Sequence, residues 1–462
     1  MVRGEWCAFA ARIEAGARVV PGFCLREVEG YLRCGLLAFG FARVHCGACG
    51  KDEVVAFSCK GRGFCPSCGT RRMVDTAAWL VDRVLPEVPV RQWVLSLPYR
   101  VRLLCAYDPV VCAAVRKVLV RAVSGYYERA ARGLGKPRPR AGAVAFVQRF
   151  DSGLRLNVHF HVLWLDGAYA WQPGGRVQWC GHGGVCDEDV ALLVKRIRDR
   201  VIRKLRKMGK WPDAAGDGGG VEELTGGDEG EQLLLELESA AVQGRSMKGE
   251  RDERAGRGTM SEPFVKGKLC ADVDGFSLHA GVLVPGHDRK RLEKLCRYAG
   301  RPAVAESRLS LLPDGRVAYE LKRKWKDGTT HVVMEPGVLI ERLVALVPRP
   351  RKHLVTYHGV LAPAAGLRSR VVPRVEDEVG VGEREGSCRH EPGGGGGAGP
   401  SGAVDIENTA TSRLLPQRTR RLVPHASGKR SRGGGREVRR RYSWAELLQR
   451  VFDRLTNCSW PR

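Results

Sequence analysis

Between residues 143 and 165 apolar positions come in two runs, Ala143 to Phe150 and Leu154 to Leu165, with Asp151-Ser152-Gly153 between them. Short β-rich runs flanking a polar, Gly-containing turn predict a β-hairpin. Residues 91–97 predict a strand ended by Pro98, and residues 269–283 another. Residues 307–321, with Pro313-Asp314-Gly315 at the centre, predict a further hairpin, and residues 329–334 a last strand. Elsewhere the period is helical. Residues 73–85 form an amphipathic helix stopped by Pro86, and Val111, Val115, Val118, Ala122 and Tyr126 recur near one face of residues 108–132. A helix starting at Asp187, a good N-cap, buries Val190, Leu193, Val194, Ile197 and Val201. Helices over 289–299 and 336–346 complete an α+β pattern.

Two stretches break the periodicity. Pro212 to Gly244 is acidic and Gly-rich, with no Lys or Arg from Asp213 onward, and reads as a surface insertion spanning about 212–262, helical over Glu231 to Ala241. Beyond Pro373 the pattern is lost; five glycines (Gly393 to Gly397) precede a run with eleven Lys or Arg and one acid between Arg413 and Arg441. Residues 374–442 are therefore expected to be a disordered, basic tail that tethers the chain to DNA phosphates. Residues 443–462 recover a short helix.

Charge narrows the partners. The chain of 462 residues has 77 Lys+Arg against 51 Asp+Glu, a net charge of +26. Such an excess favours a polyanion, because each neutralised phosphate releases condensed counterions. Neither an apolar run of transmembrane length nor the apolar core of a signal peptide is present, so no membrane partner and a cytoplasmic location are expected. The sixteen cysteines then read as reduced thiols. Cys46-Gly-Ala-Cys49 and Cys65-Pro-Ser-Cys68 stand 15 residues apart, the spacing of a four-thiolate structural zinc site. Gly50 and Gly69 suit tight turns around the sulfurs, and Cys59 and His45 are close enough to substitute as ligands. Cys180, His182 and Cys186 have poor ligand spacing and read as structural. Residues 1–72 form the expected zinc-ribbon-like domain, followed by a second domain over 73–373.

The chemistry centres on His159-Phe160-His161. On a strand, alternate side chains share a face, so both imidazoles project together while Phe160 enters the core. Such a pair can hold a divalent cation against a phosphate. Taken alone, the pattern is better explained by two polar residues on the wet side of a half-buried strand; the rest of the chain reverses that balance.

Further motifs carry a family resemblance. Phe57-Ser58-Cys59-Lys60 with Gly63 to Cys68, Val94 to Pro98, Asn157 to Gly167 and Gly275 to Ala280 resemble rolling-circle transposases of the insertion sequence ninety-one family and its common-region relatives. Leu295 to Tyr298, Trp325 to His331 and Tyr357 to Pro363 continue the resemblance, in the family's order, over about residues 20–373. The resemblance implies an HUH nuclease (histidine–hydrophobe–histidine) on an antiparallel sheet with packed helices. Such enzymes nick and join single-stranded DNA at element ends and target sites through a 5′-phosphotyrosine. It implies structural zinc in the N-terminal domain, and magnesium or manganese on His159 and His161. The third ligand stays open: Gln148 could face the histidines across the hairpin, with His279 and His331 as alternatives. A tyrosine hydroxyl is a weak nucleophile near neutral pH, hence the need for a metal.

Among ten tyrosines, the adjacent Tyr126 and Tyr127 sit in an apolar helix that suits packing. Tyr298 follows Arg289, Lys290, Arg291, Lys294 and Arg297, cations able to steer DNA phosphate, and the resemblance marks it as the catalytic tyrosine. Two-tyrosine relatives carry their second nucleophile where this chain has Lys294, so a single-tyrosine member is expected. The C-terminus departs too: relatives run from a Trp-x-x-Leu-Leu helix, here Trp444 to Phe452, into another Cys-rich segment, as though this copy were frameshifted or truncated. Rival readings are a plasmid replication initiator or relaxase of the same nuclease class, and a non-enzymatic zinc-ribbon DNA-binding protein.

Overall fold

Phe160, Val162 and Trp164 turn to one side of their strand while His159, His161 and Leu163 turn to the other, and this alternation organises the protein. The computed structural model describes residues 2–45, 52–211, 229–247, 262–325 and 328–373. The expected basic tail, the C-terminal helix, Cys46 and Cys49 lie outside them. In chain order the helices are α1 (Val2–Ala15), α2 (Gly22–Arg33), α3 (Pro66–Arg83), α4 (Tyr99–Tyr107), α5 (Pro109–Gly133), α6 (Asp187–Arg206), α7 (Glu229–Gln243), α8 (Arg289–Ala299), α9 (Pro336–Leu346) and α10 (Arg368–Val371). The strands are β1 (Phe41–His45), β2 (Asp52–Ala56), β3 (Val90–Ser96), β4 (Gly142–Phe150), β5 (Leu156–Leu165), β6 (Gly167–Trp171), β7 (Val177–Gly181), β8 (Phe264–Gly267), β9 (Cys270–Val273), β10 (Phe276–Val284), β11 (Leu309–Leu311), β12 (Val317–Glu320), β13 (His331–Met334) and β14 (Val355–Gly359).

Seven strands form an antiparallel sheet in the order β14-β4-β5-β3-β10-β9-β8. One face packs Trp93, Leu95, Phe160, Val162 and Trp164 against α4, α5, α6, α7 and α9. Each of these large side chains is fully buried, a gain of about 2–3 kcal/mol apiece relative to exposure. The other face packs Val144, Phe146, Leu163 and Leu165 under α3 and α8. Both histidines lie on this second face, beside α8 and its Tyr298. Polar groups buried with the core are paired: Arg91 holds Asp166 through two hydrogen bonds of 2.8 and 3.0 Å, and Tyr127 donates to the same carboxylate at 2.8 Å.

Several elements differ from the sequence expectation. The strand expected over 269–283 is two, because Asp274-Gly275 turn the chain with positive φ at both residues. Asp108 does start α5, its carboxylate accepting from Val110 and Val111, but the preceding α4 escaped the apolar pattern. Part of the expected surface insertion is core. Leu233, Leu234, Leu235 and Leu237 of α7 are buried, and Glu238 is fully buried against Arg149 at 2.7 Å. Acidic composition concealed a leucine stripe whose one buried carboxylate has its own cation. Gly69 is not in a turn: it lies inside α3, where a Cβ would stand 2.6 Å from Pro302.

Candidate active site and zinc centre

The zinc centre gathers Cys34, Cys59, Cys65 and Cys68, whose sulfurs all lie within 4.8 Å of one another. Neighbouring sulfurs are separated by 3.5 Å (Cys59–Cys68), 3.7 Å (Cys34–Cys65) and 3.8 Å (Cys34–Cys68). A tetrahedron with Zn–S bonds near 2.3 Å has edges of about 3.8 Å, so the set fits one zinc ion. Local geometry explains the approach. Cys65 caps α3 with Pro66 following, so Cys65 and Cys68 stand one turn apart at a helix N-terminus, facing the other two sulfurs. Lys60 at φ 57° turns the chain after Cys59, and the Gly61 amide donates to the Cys59 sulfur at 3.3 Å. Cys65 and Cys68 are thus joined by Cys34 and Cys59 in a complete four-sulfur set. Cys59 is the substitute ligand that its closeness in sequence allows; Cys34 stands alone in the sequence, with no spacing to announce it. Cys180, His182 and Cys186 do not form a metal cluster among the described residues. Cys186 hydrogen-bonds Asp189, and His182 lies 4.6 Å from the Tyr126 ring.

On the sheet, the Nε2 atoms of His159 and His161 approach to 3.1 Å. His159 donates from Nδ1 to the Asn157 carbonyl at 2.7 Å, leaving Nε2 as the lone-pair nitrogen. The Gln92 amide nitrogen donates to Nδ1 of His161 at 3.0 Å, which places the His161 proton on Nε2, facing the bare Nε2 of His159. Burial drives His159 down to about 4 and His161 well below its ordinary value, so both rings are neutral. Two Nε2 atoms about 3 Å apart suit adjacent positions of an octahedral shell with bonds near 2.1 Å. Gln148 stands opposite His159 in the β4–β5 register. Its Nε2 donates to the carbonyls of Tyr298 (3.2 Å) and Ala299 (2.7 Å), while its buried Oε1 has no hydrogen-bond partner. An orphaned acceptor beside the two imidazole Nε2 atoms gives a donor set that fits magnesium or manganese, with the Gln92 amide oxygen turned to His161 Nδ1 when the ion is held.

The other candidate ligands lie elsewhere. His279 pairs with Val94, which itself pairs with His161, so it is two strands away. His331 is exposed on β13, in a separate three-stranded sheet, and bonds Thr330.

Tyr298, in the last turn of α8, is 37 % exposed, and its ring lies 5.5 Å from the His161 ring, edge to face. Arg301 lies 4.7 Å from the centre of the phenol ring and Lys322 4.6 Å from it. Sequence reasoning missed both cations, since they follow α8 rather than precede Tyr298 on it. Of the five it named, Arg289 spends its guanidinium on the carbonyls of Val81, Leu85 and Pro86 and so holds α8 to the end of α3. Arg297 lies 3.9 Å from Glu293, whereas Lys290, Arg291 and Lys294 are exposed. Tyr126 and Tyr127 pack on the opposite face of the sheet, where burial raises both phenols well above their ordinary range.

A family model described as "Putative transposase" matches residues 142–368, and one described as "Transposase zinc-binding domain" matches residues 5–97. The chain belongs to the insertion sequence ninety-one family of transposases. No curated protein and no solved structure matches it. This transposase is accordingly a DNA-binding, DNA-processing enzyme with a structural zinc centre. Among its described residues no helix is long and apolar enough to cross a membrane.

Proposed function

We propose that this transposase nicks and rejoins single-stranded DNA in rolling-circle transposition, with Tyr298 as its nucleophile. The observation that carries the reading is the convergence, on one face of the sheet, of two neutral imidazoles, an unpartnered amide oxygen and a partly exposed phenol. The Tyr298 oxygen attacks the scissile phosphorus, forming an O–P bond as the bond to the 3′-oxygen breaks. The phenolic proton is lost and the departing 3′-oxygen gains one, which leaves a 5′-phosphotyrosine and a free 3′-hydroxyl. Attack of a 3′-hydroxyl on that ester reverses the exchange, so joining needs no nucleotide hydrolysis.

His159, His161 and Gln148 would hold magnesium or manganese. That ion, when bound, supplies Lewis-acid polarisation of the scissile phosphate and offsets charge in the transition state. Gln148 is also a brace, because its amide grips the last carbonyls of α8 and so fixes the distance between donor set and phenol. Arg301 and Lys322, against the Tyr298 ring, hold the ring in place and attract phosphate.

The test is incubation of the purified chain with labelled single-stranded element-end oligonucleotides and a divalent metal, followed by denaturing electrophoresis. Wild type should yield a covalent adduct; Tyr298→Phe should bind DNA and yield none. An adduct that persists in Tyr298→Phe but vanishes in Tyr126→Phe or Tyr127→Phe would mean that the nucleophile lies on the other face.

A further inference from the structure

Two clefts meet at the edge of the sheet beside Tyr298. The first, about 110 Å³, has Gly61, Arg62 and Arg72 of the zinc-binding segment on one wall and Gln148, Phe150 and Arg301 on the other. The second, about 380 Å³, is bounded by Cys112 and Arg116 of α5 and by Arg349, Arg351, Lys352 and His353, which precede β14. Val147, Arg149, Pro348 and Leu354 line both, so the two are continuous. Arg62 marks the junction: it lines the first cleft and donates to the Lys352 carbonyl, whose residue lines the second.

The charge of this groove is one-sided. Four Lys or Arg side chains line the first cleft and five the second, Arg149 being common, and neither lining includes a carboxylate. Two of these cations are offset from behind, Arg149 by Glu238 and Arg349 by Glu231, each at 2.7 Å. Arg116, Arg301, Arg351 and Lys352 have no ion pair among the described residues. Arg351 is held at φ 58°, a left-handed conformation that costs a non-glycine residue about 1 kcal/mol or more, and its side chain is exposed. Concave walls of one sign focus potential on an anion. The anion must be a chain rather than a point, since the cations are spread over two joined clefts.

We propose that this groove carries the sugar–phosphate backbone of the single strand flanking the cut, from Arg301 beside Tyr298 to Arg116, Arg351 and Lys352. The inference rests on Tyr298 being the nucleophile. A slot closed by the zinc-binding segment admits one strand, not a duplex. At the near end Arg301 lies over the ring of Phe150, 5.5 Å from its centre, which holds the guanidinium in the cleft.

Binding of the full chain to fluorescent oligothymidylates of about 8 and about 30 nucleotides, over a range of salt, tests the groove. The variants are Arg351→Glu with Lys352→Glu, both exposed, and separately Arg116→Ala, with thermal melting and zinc content as checks of folding. The double variant should bind the long oligonucleotide about tenfold or more weakly, with a log–log salt slope shallower by about 1.4. The short oligonucleotide, which fills only the Tyr298 end, should shift less than about twofold, and Arg116→Ala should move the long one in the same direction. Unchanged binding at both lengths, equal loss at both, or equally tight competition by duplex DNA would overturn the proposal. The two readings fail separately. If Tyr298→Phe still forms adduct while the groove variants lose long-strand affinity, the nucleophile is wrong. If Tyr298→Phe is inert and the groove variants bind as wild type, the groove is wrong.

Discussion

Asp166 shows how one residue can secure a core without joining the chemistry. It accepts two hydrogen bonds from Arg91 and one from Tyr127, which itself accepts from Trp93 at 3.0 Å, all buried. Removing the carboxylate strands a buried guanidinium, so Asp166→Ala should cost about 3–5 kcal/mol in urea unfolding. A loss below about 1 kcal/mol would mean that water reaches the pair. The histidines make stability depend on pH. An imidazole buried neutral takes up its proton more readily in the unfolded chain. The folded value of His159, about 4 against the ordinary 6.5, therefore leaves stability intact above pH 6.5 and drains it as pH falls toward 4. His358, also lowered to about 4 by burial, adds in the same direction. Without divalent metal in the buffer, unfolding free energy should drop by up to about 3 kcal/mol from pH 7 to pH 4.5 for His159 alone. His159→Gln should flatten part of that slope; an unaltered slope would refute the assignment.

At the scale of elements, α3 links the zinc centre to the face of the sheet that carries the two histidines. It starts at zinc ligands and packs beneath α8, with Gly69 allowing Pro302 to come close. A Cβ at 2.6 Å from Pro302 forces movement, because the obstructing atom belongs to a rigid ring. Gly69→Ala gains about 1 kcal/mol in helix propensity but should lose about 1–3 kcal/mol to overpacking, and Gly69→Val more. Both should slow adduct formation while keeping zinc content, since Pro302 follows Arg301 directly. Equal stability and rate in the two variants would show that the helices slide apart without cost. The helix α7 teaches a converse lesson. Its acidic neighbourhood resembles solvated surface, yet the leucine stripe from Leu233 to Leu237 and the Arg149–Glu238 pair draw it into the core. Composition averages over a window; burial is decided one face at a time.

For the whole molecule, the zinc centre should matter to cutting, because the segment it folds supplies Arg62 and Arg72 to one wall beside Arg301. Metal analysis of the full chain should find about one zinc. Cys34→Ser or Cys59→Ser should lose it and weaken DNA cleavage, while Cys46→Ser with Cys49→Ser should retain it, since four other thiols already complete a tetrahedral set. Retention in Cys34→Ser with loss in the Cys46/Cys49 variant would restore the ligand set expected from knuckle spacing.

What the sequence determined by itself is whatever local repetition encodes. The period of two over residues 156–165 put His159 and His161 on one face, and the helical period gave α8 and α9 the ends observed in the fold. Cys65-Pro-Ser-Cys68 announced thiolate ligands, and net charge announced a polyanion. The tertiary structure alone decided which distant groups lie beside the cysteines and beside Tyr298. Cys34 lies 31 residues before Cys65, and Lys322 in a later segment that folds back over Tyr298. No periodicity links these positions, since their proximity arises from strand register, helix packing and loop return. These are long-range consequences of burying two faces of one sheet.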